Sequence, residues 1–363
     1  ALHSSVERLG HSPWILILGC FLLFGLGSFT IGMGEEYMPL IPIIVTMCLA
    51  MRMDGVVAMG MVWIPYGIGW GCAGFNPFNV VIAQNIAGVP LMSGWEFRMV
   101  MMIAFLALGF HHLYRYARRV QADPSESLVA DVDYSTGFEA PHDIRLTGQH
   151  IAILVVFLAG LAFFVWGAQT HHWYVTELNT IFFGIGIVAA LIARLSPSEI
   201  SQTFLEGAAK MAAPALIVGF ARAIAVVLED GQVIDTVVFS IASVLDGLPA
   251  DVSAVGMLIV QSLCNFFIPS GSGQAFVTMP IMSPLATLTG VPQQTAVLAF
   301  QFGDGFTNMI VPTNALVVGA LALGKVPYAV WFRFMASLML RILELAAAFI
   351  VFSVHYGDKV GLY

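Results

Sequence analysis

Three acidic residues lie within apolar parts of this chain, where a carboxylate is costly. Glu35 and Glu36 follow Gly34 in a glycine-rich break, and Asp304 interrupts a long apolar region in the second half. An ionised carboxylate near the centre of a membrane costs about 2.5–3.5 kcal/mol, so each needs a cation, a proton or strong hydrogen bonds. These residues predict a site for a cationic substrate group, for Na+ or for protons. The alternatives are a hydrated tip for the two glutamates, and a helix cap or a buried ion pair for Asp304.

Small polar residues cluster at breaks between apolar segments. Backbone polar groups cannot remain unpaired in hydrocarbon, so such a break survives only where it lines a cavity or is buried in protein. Half-helix N-termini there offer N–H groups to anions, whereas helix C-termini and carbonyl oxygens suit Na+. The residues that we expect to bind substrate are Gly34, Glu35, Glu36, Asn76, Asn79, Ser270, Gly271, Ser272, Gly273, Asn308, Thr313, Asn314 and Arg222. The residues that we expect to couple an ion are Glu36, Asn76, Asp304, Thr307 and Asn308.

Structural explanations compete with these assignments. Helix capping and packing would account for the amide and hydroxyl residues. Arg222 lies in the middle of an apolar segment and faces the same cost as the carboxylates. It could hold a substrate carboxylate, or it could pair with Asp304 or with a glutamate of the first tip.

The composition indicates an integral membrane protein. Apolar residues make up 59% of the 363 residues, charged residues make up 10%, and the mean hydropathy is +0.88. Soluble domains carry about 25% charged residues, and apolar stretches near the ~20 residues that span a bilayer recur along this chain. The net charge of −8 argues against nucleic-acid binding. Because the cysteines stand alone and the histidines do not cluster with them or with carboxylates, we predict no metal centre and no cofactor.

Neither an enzyme nor an ATP-driven pump is predicted. Ser270 and Ser272 have no nearby His or Lys in the sequence that could activate a nucleophile. The chain contains no Gly-x-x-x-x-Gly-Lys-Ser/Thr loop for a nucleotide phosphate. A channel would share the broken helices, but it needs a continuous pore rather than one occluded site.

A long polar segment, residues 121–148, divides the chain. The basic residues that flank it are Arg115, Arg118, Arg119 and Arg145. The positive-inside rule therefore places this loop in the cytoplasm. It separates a first repeat, residues 1–120, from a second repeat, residues 149–363.

Both halves contain the same order of elements, a helical hairpin with a glycine-rich tip followed by a broken helix. At a constant offset Gly34 aligns with Gly271, and at a nearby offset Asn79 aligns with Asn314. An odd number of crossings separates the two copies, which predicts inverted repeats with the first tip entering from the cytoplasm and the second from outside. The helices that precede the second hairpin have no counterpart before the first, so we expect N-terminal scaffold helices to be missing from this sequence.

The motifs at these tips and breaks resemble a known transporter family. The segments 265–275 and 293–308, together with residues 32–36 and 76–78, resemble the YfcC-like branch of the DcuC family, the four-carbon dicarboxylate anaerobic carriers. The resemblance covers nearly the whole chain. It implies the ion-transporter superfamily fold: inverted repeats, a scaffold domain, a transport domain that carries both tips, elevator-type movement and often a homodimer. It also implies carriage of dicarboxylates or exchange of basic amino acids such as arginine and ornithine.

Together these observations predict an all-α polytopic secondary transporter in the bacterial inner membrane. We expect it to move a small carboxylate-bearing metabolite, such as an amino acid or a dicarboxylate, by coupling to Na+ or H+ or by exchange. Glu35 and Glu36 favour a substrate with an amino or guanidinium group, whereas a dicarboxylate would prefer Arg222 and the hydroxyl groups of the second tip. A basic amino acid antiporter with the same fold is one alternative, and an ion channel is the alternative from another class.

Overall fold

The computed structural model describes residues 13–134, 147–171, 173, 175–233, 236, 240 and 247–362. Within these residues the chain is helical and forms no strand. In chain order the α-helices are α1 (Trp14–Ile31), α2 (Ile41–Ala50), α3 (Gly55–Gly71), α4 (Val80–Ile86), α5 (Trp95–Ala122), α6 (Gly148–His171), α7 (Val175–Ile192), α8 (Pro197–Asp230), α9 (Ala250–Phe267), α10 (Gly271–Thr289), α11 (Gln293–Thr307), α12 (Ala315–Leu323) and α13 (Tyr328–Tyr356). Short 3-10 helices cover Glu35–Leu40, Pro124–Glu126 and Gly357–Val360.

Helices of membrane-spanning length occur in both halves of the chain. In the described part, α1, α5, α9 and α13 are long and apolar enough to cross a membrane by length and composition. Shorter apolar helical stretches occupy Gly55–Gly71, Gly148–Gly160 and Asn179–Ile192. The outer faces of the long helices expose large apolar side chains, such as Leu23 (60% exposed) and Leu340 (65% exposed). Such faces suit contact with lipid.

The chain divides into two compact units. The first includes α6, α7 and the start of α8 to Ala215, and the second includes the remaining helices. In the first unit α6 packs on α7, and Gly160 lies so close to Ile185 that a Cβ would be 2.4 Å from its Cδ1. The predicted boundaries of the repeats, 1–120, 121–148 and 149–363, describe sequence copies rather than compact units and stay a prediction.

Helices α3 and α11 form the buried centre of the second unit. Every residue of α3 is buried, and so is every residue of α11 after its first. Helices α1 and α2 pack on α3, α9 and α10 pack on α11, and α3 packs on α11. Glycine permits this last contact, because a Cβ at Gly305 would lie 2.3 Å from the backbone nitrogen of Gly71. Small residues allow such close approach of helices in membranes.

Helices α1, α3 and α9 end where the sequence predicts breaks, whereas α11 continues to Thr307, through the first residues of the break predicted over 302–314. Helix α1 ends at Ile31, and Gly32 follows with φ of +73°, a left-handed conformation that glycine adopts at no steric cost. Breaks also separate α9 from α10, α3 from α4 and α11 from α12. The same order of elements, two helices joined by a glycine-containing break and then a helix followed by a second break, therefore occurs in both halves. That each helix pair is a re-entrant hairpin stays a prediction. The inverted orientation of the two copies stays a prediction.

The start of the polar segment 121–148 folds against the beginning of α3. Asp54 caps α3 by accepting a hydrogen bond from the backbone nitrogen of Val57 at 2.9 Å. Its other carboxylate oxygen accepts hydrogen bonds from the hydroxyl groups of Tyr116 in α5 and Ser127, the latter at 2.7 Å. The three elements are thereby held together at one end of the helix. Residues 135–146 lie outside the described residues.

Candidate functional site

Asp304 lies fully buried on α11 and accepts hydrogen bonds from both halves of the chain. Trp70 Nε1 and Asn79 Nδ2 each donate to Asp304 Oδ2 at 2.8 Å, and Asn308 Nδ2 donates to Oδ1 at 2.9 Å. Among the described residues, no Lys or Arg makes a salt bridge with this carboxylate. The predicted pairing with Arg222 stays a prediction, because the structure describes the backbone of Arg222 and not its side chain. The carboxylate is thus held by neutral donors at the meeting point of α3, α11 and the two breaks.

A chain of amides extends from Asp304 into the second break. The Oδ1 atom of Asn308 accepts hydrogen bonds from Asn265 Nδ2 at 3.0 Å and from Asn314 Nδ2 at 2.7 Å. Asn265 Nδ2 also lies 2.7 Å from Thr307 Oγ1, to which it donates. The predicted residues Asp304, Thr307, Asn308 and Asn314 therefore do come together. They share their network with Asn265, which projects from the end of the second hairpin's first helix.

Two buried amide oxygens in this network lack a hydrogen-bond donor. Within the described residues, Asn79 Oδ1 and Asn265 Oδ1 have no hydrogen-bond partner, although the nitrogen of each amide is engaged. A buried acceptor without a partner costs about 1–3 kcal/mol. Carboxylate and amide oxygens that face a dehydrated site are ligands suited to a hard cation. The carboxylate of Asp304 and the unpaired amide oxygens of Asn79 and Asn265 are thus oxygen atoms of the kind that bind a hard cation such as Na+.

The tip of the second hairpin closes over this carboxylate. A Cβ on Gly271 would lie 3.1 Å from Asp304 Oδ2 and 3.0 Å from Trp70 Cζ2, so the backbone of the tip rests on both. Ser270 caps α10, and its Oγ accepts a hydrogen bond from the Gly273 nitrogen at 3.3 Å. Ser272 is half-buried at the same tip. The tip thus presents the N-terminus of α10 beside Asp304.

Two predicted site residues also perform structural roles in the second break. Asn314 Oδ1 caps α12 by accepting a hydrogen bond from the Leu316 nitrogen at 2.8 Å, while its Nδ2 reaches Asn308. Thr313 Oγ1 donates to the Phe266 carbonyl at 2.6 Å and so fixes the break to the end of α9. The capping explanation therefore applies to Asn314 together with its place in the amide network.

The tip of the first hairpin contacts α3 near the donor to Asp304. Glu36 is half-buried and accepts a hydrogen bond from the Gly34 nitrogen at 2.7 Å, whereas Glu35 is exposed. Gly34 rests on Tyr66, because a Cβ there would lie 3.0 Å from the ring. The ring centroid of Tyr66 is 5.7 Å from that of Trp70, the donor to Asp304. In the described part of the chain neither glutamate hydrogen-bonds Asp304, and the contacts that link Gly34 to Asp304 run through the rings of Tyr66 and Trp70.

Asn76 and Asn79 differ in what they contact. Asn79 reaches Asp304, as described above. Asn76 instead accepts a hydrogen bond from the Phe78 nitrogen at 2.8 Å and packs under Gly32, where a Cβ would lie 2.4 Å from Asn76 Oδ1. Asn76 thus joins the first break to the first hairpin, and its expected contact with a coupling ion remains a prediction.

Sequence reasoning missed Arg98, a fully buried cation beside the first break. Its Nε donates to Gln301 Oε1 at 2.9 Å, and its Nη1 and Nη2 donate to the Ser93 carbonyl and to Gln294 Oε1 at 3.0 and 3.1 Å. Gln301 Nε2 in turn donates to the carbonyl of Ala73 at 2.8 Å. Arg98 therefore braces the first break through Gln301. A lone arginine at the start of an apolar segment is the sequence signal that could have found it.

Trp70 and Asn265 were also missed as site residues. Trp70 precedes the glycine that ends α3, and Asn265 lies near the end of an otherwise apolar helix. A polar residue beside a break is a weak signal, because the sequence does not tell which face of the helix it occupies.

Comparisons with known proteins identify relatives of the whole chain. The profile of the DcuC family, described as C4-dicarboxylate anaerobic carrier, matches residues 2–355. Escherichia coli (strain K12) YfcC, provisionally named as a basic amino acid antiporter, is 36% identical over 90% of this chain and 67% of its own length. An uncharacterised protein of Haemophilus influenzae is 30% identical over 97% of this chain and 70% of its own length.

One solved structure shares the fold. The crystal structure of the Alcanivorax borkumensis YdaH transporter matches with a TM-score of 0.50 and 16% sequence identity. The match covers 99% of this chain and 84% of that chain. The all-helical architecture is thus one that a transporter uses.

Proposed function

We propose that this chain, which belongs to the DcuC family of C4-dicarboxylate anaerobic carriers, is a secondary active transporter of a small carboxylate-bearing metabolite. The family description and the name of the relative YfcC are those of membrane transporters, and several apolar helices of this chain suit a multi-pass membrane protein. Coupling to Na+ or H+, or exchange of two substrates, would supply the energy. The bacterial inner membrane is the location that we propose, because the relatives are bacterial.

The observation that carries the proposal is the buried carboxylate of Asp304. It accepts hydrogen bonds from Trp70 and Asn79 of the first half and from Asn308 of the second. Binding of Na+ or a proton there would neutralise a charge that is costly at membrane depth. Because Gly271 rests on the same carboxylate, cation binding and the position of the second tip would influence each other.

A substrate with a cationic group fits this site better than a plain dicarboxylate. Glu35 and Glu36 add two carboxylates at the first tip, and Arg98 is already engaged by glutamine side chains and a carbonyl. The substrate carboxylate would bind at the N-terminus of α10, beside Ser270 and Ser272. The name of the relative YfcC points to basic amino acids, whereas the family description points to C4-dicarboxylates.

Inverted repeats and elevator-type movement complete the proposal. Both hairpins and both breaks belong to the second compact unit, which makes that unit the candidate transport domain. The helices of the first unit are candidates for a scaffold, and a homodimer is the assembly that we propose. Paired broken helices near the bilayer midplane are the usual binding sites of such transporters.

Uptake into proteoliposomes tests the proposal. We expect saturable arginine uptake that ornithine inhibits, with counterflow and with stimulation by a Na+ or proton gradient. Glu36→Gln should raise the KM for arginine roughly tenfold or more, since one charge-assisted contact is worth about 1.5–3 kcal/mol. Glu96→Gln, an exposed glutamate in the first turn of α5, is the matched control and should leave the KM unchanged.

The outcomes separate the alternatives. If the protein takes up succinate and Glu36→Gln does not affect this uptake, the substrate is a dicarboxylate rather than an amino acid. Failure of arginine, ornithine and succinate alike to enter or to compete would refute the substrate class. A single-channel current in planar bilayers would refute the carrier and favour a channel.

A further inference from the structure

A cavity of about 400 Å³ lies between the C-terminal half of α5 and the first half of α13. It is lined by four arginines, Arg115 and Arg119 from α5 and Arg333 and Arg341 from α13. None of the residues that surround Asp304 lines this cavity. The cavity therefore belongs to no part of the proposed transport site, and an inference about it does not depend on the substrate.

The cavity carries a strong excess of positive charge. Glu126 is the one carboxylate among the residues that line it. In the described part of the chain, none of the four guanidinium groups makes a salt bridge. Arg115, Arg119 and Arg333 are exposed. Four like charges without paired carboxylates create a local potential that attracts an anion.

The arginines are arranged in two facing rows. Arg115 and Arg119 are four residues apart and so lie one turn apart on the same face of α5, and Arg333 and Arg341 lie two turns apart on the same face of α13. Both rows flank a single cavity. An anion inside it can therefore contact guanidinium groups from two helices.

Arg341 is held in place before any ligand binds. Its Nε donates to the Ser337 carbonyl at 2.9 Å, and its Nη2 donates to His112 Nδ1 at 2.9 Å. His112 Nε2 in turn donates to the Phe334 carbonyl at 3.2 Å. Because His112 accepts a hydrogen bond from Arg341 on one nitrogen and donates from the other, its ring is neutral. It links the Arg341 guanidinium group to the backbone of α13. The guanidinium group is thus oriented at little further entropic cost.

The chemistry of this cavity fits a phosphate group. Guanidinium groups bind phosphate oxygens in a bidentate manner and are favoured for this role over ammonium groups. The positive-inside rule places this end of α5 at the cytoplasmic surface. Leu340, which is 65% exposed, lies one residue before Arg341 and offers an apolar neighbour for an acyl chain.

We propose that this cavity binds a phosphate group, and its position favours the headgroup of an anionic phospholipid of the cytoplasmic leaflet. Basic pockets between membrane helices on that side commonly bind such headgroups. A soluble phosphate compound shares the recognition chemistry, so the experiment must distinguish the two sources.

Native mass spectrometry of the purified full chain provides the test. The protein is titrated with phosphatidylglycerol, with phosphatidylcholine of the same acyl chains, and separately with inorganic phosphate. We expect preferential retention of phosphatidylglycerol by the wild-type chain. The double variant Arg115→Gln/Arg333→Gln should bind it roughly 30-fold more weakly, since each basic residue near a membrane surface contributes about fivefold to the affinity.

A control variant and a conservative variant distinguish a loss of binding from a loss of folding. Arg118→Gln removes an exposed arginine of the same helix that does not line the cavity, and it should bind phosphatidylglycerol like the wild type. Arg115→Lys/Arg333→Lys keeps the charge and should retain intermediate affinity. Thermal melting shows whether each variant is folded.

The remaining outcomes are decisive in either direction. Binding of inorganic phosphate that the double variant loses, without preference for phosphatidylglycerol, supports a phosphate site and assigns it to a soluble compound. Equal binding of phosphatidylglycerol by wild type, double variant and control, or no binding of either probe by the wild type, overturns the proposal.

Discussion

At the scale of single residues, two buried aspartates of the second unit have different surroundings. Asp54 and Asp304 each accept three hydrogen bonds. The donors to Asp54 include the backbone of its own helix, so its carboxylate is a helix cap. The donors to Asp304 are side chains from two breaks and from α3, and unpaired amide oxygens of Asn79 and Asn265 lie in the same network. This difference makes Asp54 a matched control for Asp304.

Asp304→Asn should abolish the dependence of uptake on Na+ or pH. The variant replaces one acceptor oxygen by an NH2 group opposite donors such as Trp70 Nε1. Each hydrogen bond to a charged group is worth about 1.5–3 kcal/mol, so uptake should fall by roughly tenfold or more. Transport in proteoliposomes with and without an ion gradient measures both effects.

Asp54→Asn keeps a side-chain oxygen that can cap α3. It weakens the hydrogen bonds that the charged carboxylate accepts from Tyr116 and Ser127, so it should lower thermal stability by about 1 kcal/mol without changing the ion dependence. If Asp304→Asn kept the wild-type ion dependence, Asp304 would not be the coupling residue.

At the scale of elements, α3 and α11 meet through glycine. A Cβ at Gly305 would lie 2.4 Å from the Gly71 Cα, which is backbone and cannot move aside as a side chain can. The contact holds Trp70 within reach of Asp304. The geometry of the site therefore depends on the distance between these two helices.

Gly305→Ala should separate α3 from α11. We expect a loss of about 1–3 kcal/mol in stability, typical of overpacking, together with loss of transport. Gly19→Ala on α1 is the control, because no atom lies within 4 Å of the added Cβ and alanine favours a helix. Thermal unfolding and uptake measure the two variants. Equal behaviour of Gly305→Ala and Gly19→Ala would show that the helices can adjust without cost.

The positions of the breaks could be predicted from the sequence, whereas the contacts across them could not. Glycine, proline and asparagine interrupt apolar runs visibly, so the ends of α1, α3 and α9 follow from composition, whereas α11 continues past Gly303 and Gly305 to Thr307. The roles of Trp70, Asn265 and Arg98 depend on which residues of another helix meet the face that carries them. For Trp70 even the face is hidden, because α3 is apolar on all sides and has little amphipathic pattern. Of the predicted site residues in the described part of the chain, Asn79 and Asn308 hydrogen-bond Asp304, whereas Glu35 and Glu36 do not.

At the scale of the whole molecule, the proposed inverted repeats assign the two hairpin tips to opposite sides of the membrane. Glu35 is exposed at the first tip and Ser272 is half-buried at the second. The four native cysteines are free, and three of them are buried. Single cysteines introduced at the tips can therefore report the side from which each is reached.

Glu35→Cys should react with a membrane-impermeant maleimide from the cytoplasmic side, and Ser272→Cys should react from the outside. The measurement uses right-side-out and inside-out vesicles in a background where the native cysteines are replaced by alanine. Ser125→Cys, exposed in the loop that we place in the cytoplasm, is the reference. Labelling of both tips from the same side would contradict the inverted repeats.

The shared hydrogen bonds of Asp304 have a consequence for the order of biosynthesis. Ribosomes deliver Trp70 and Asn79 to the bilayer well before Asp304, because the chain is made from its N-terminus. Inserted alone, a helix with this aspartate would face a penalty of about 2.5–3.5 kcal/mol. When α11 is inserted, Trp70 and Asn79, which supply two of the three hydrogen bonds to Asp304, are already in the membrane. The earlier half of the chain can thus act as an internal chaperone for the later half.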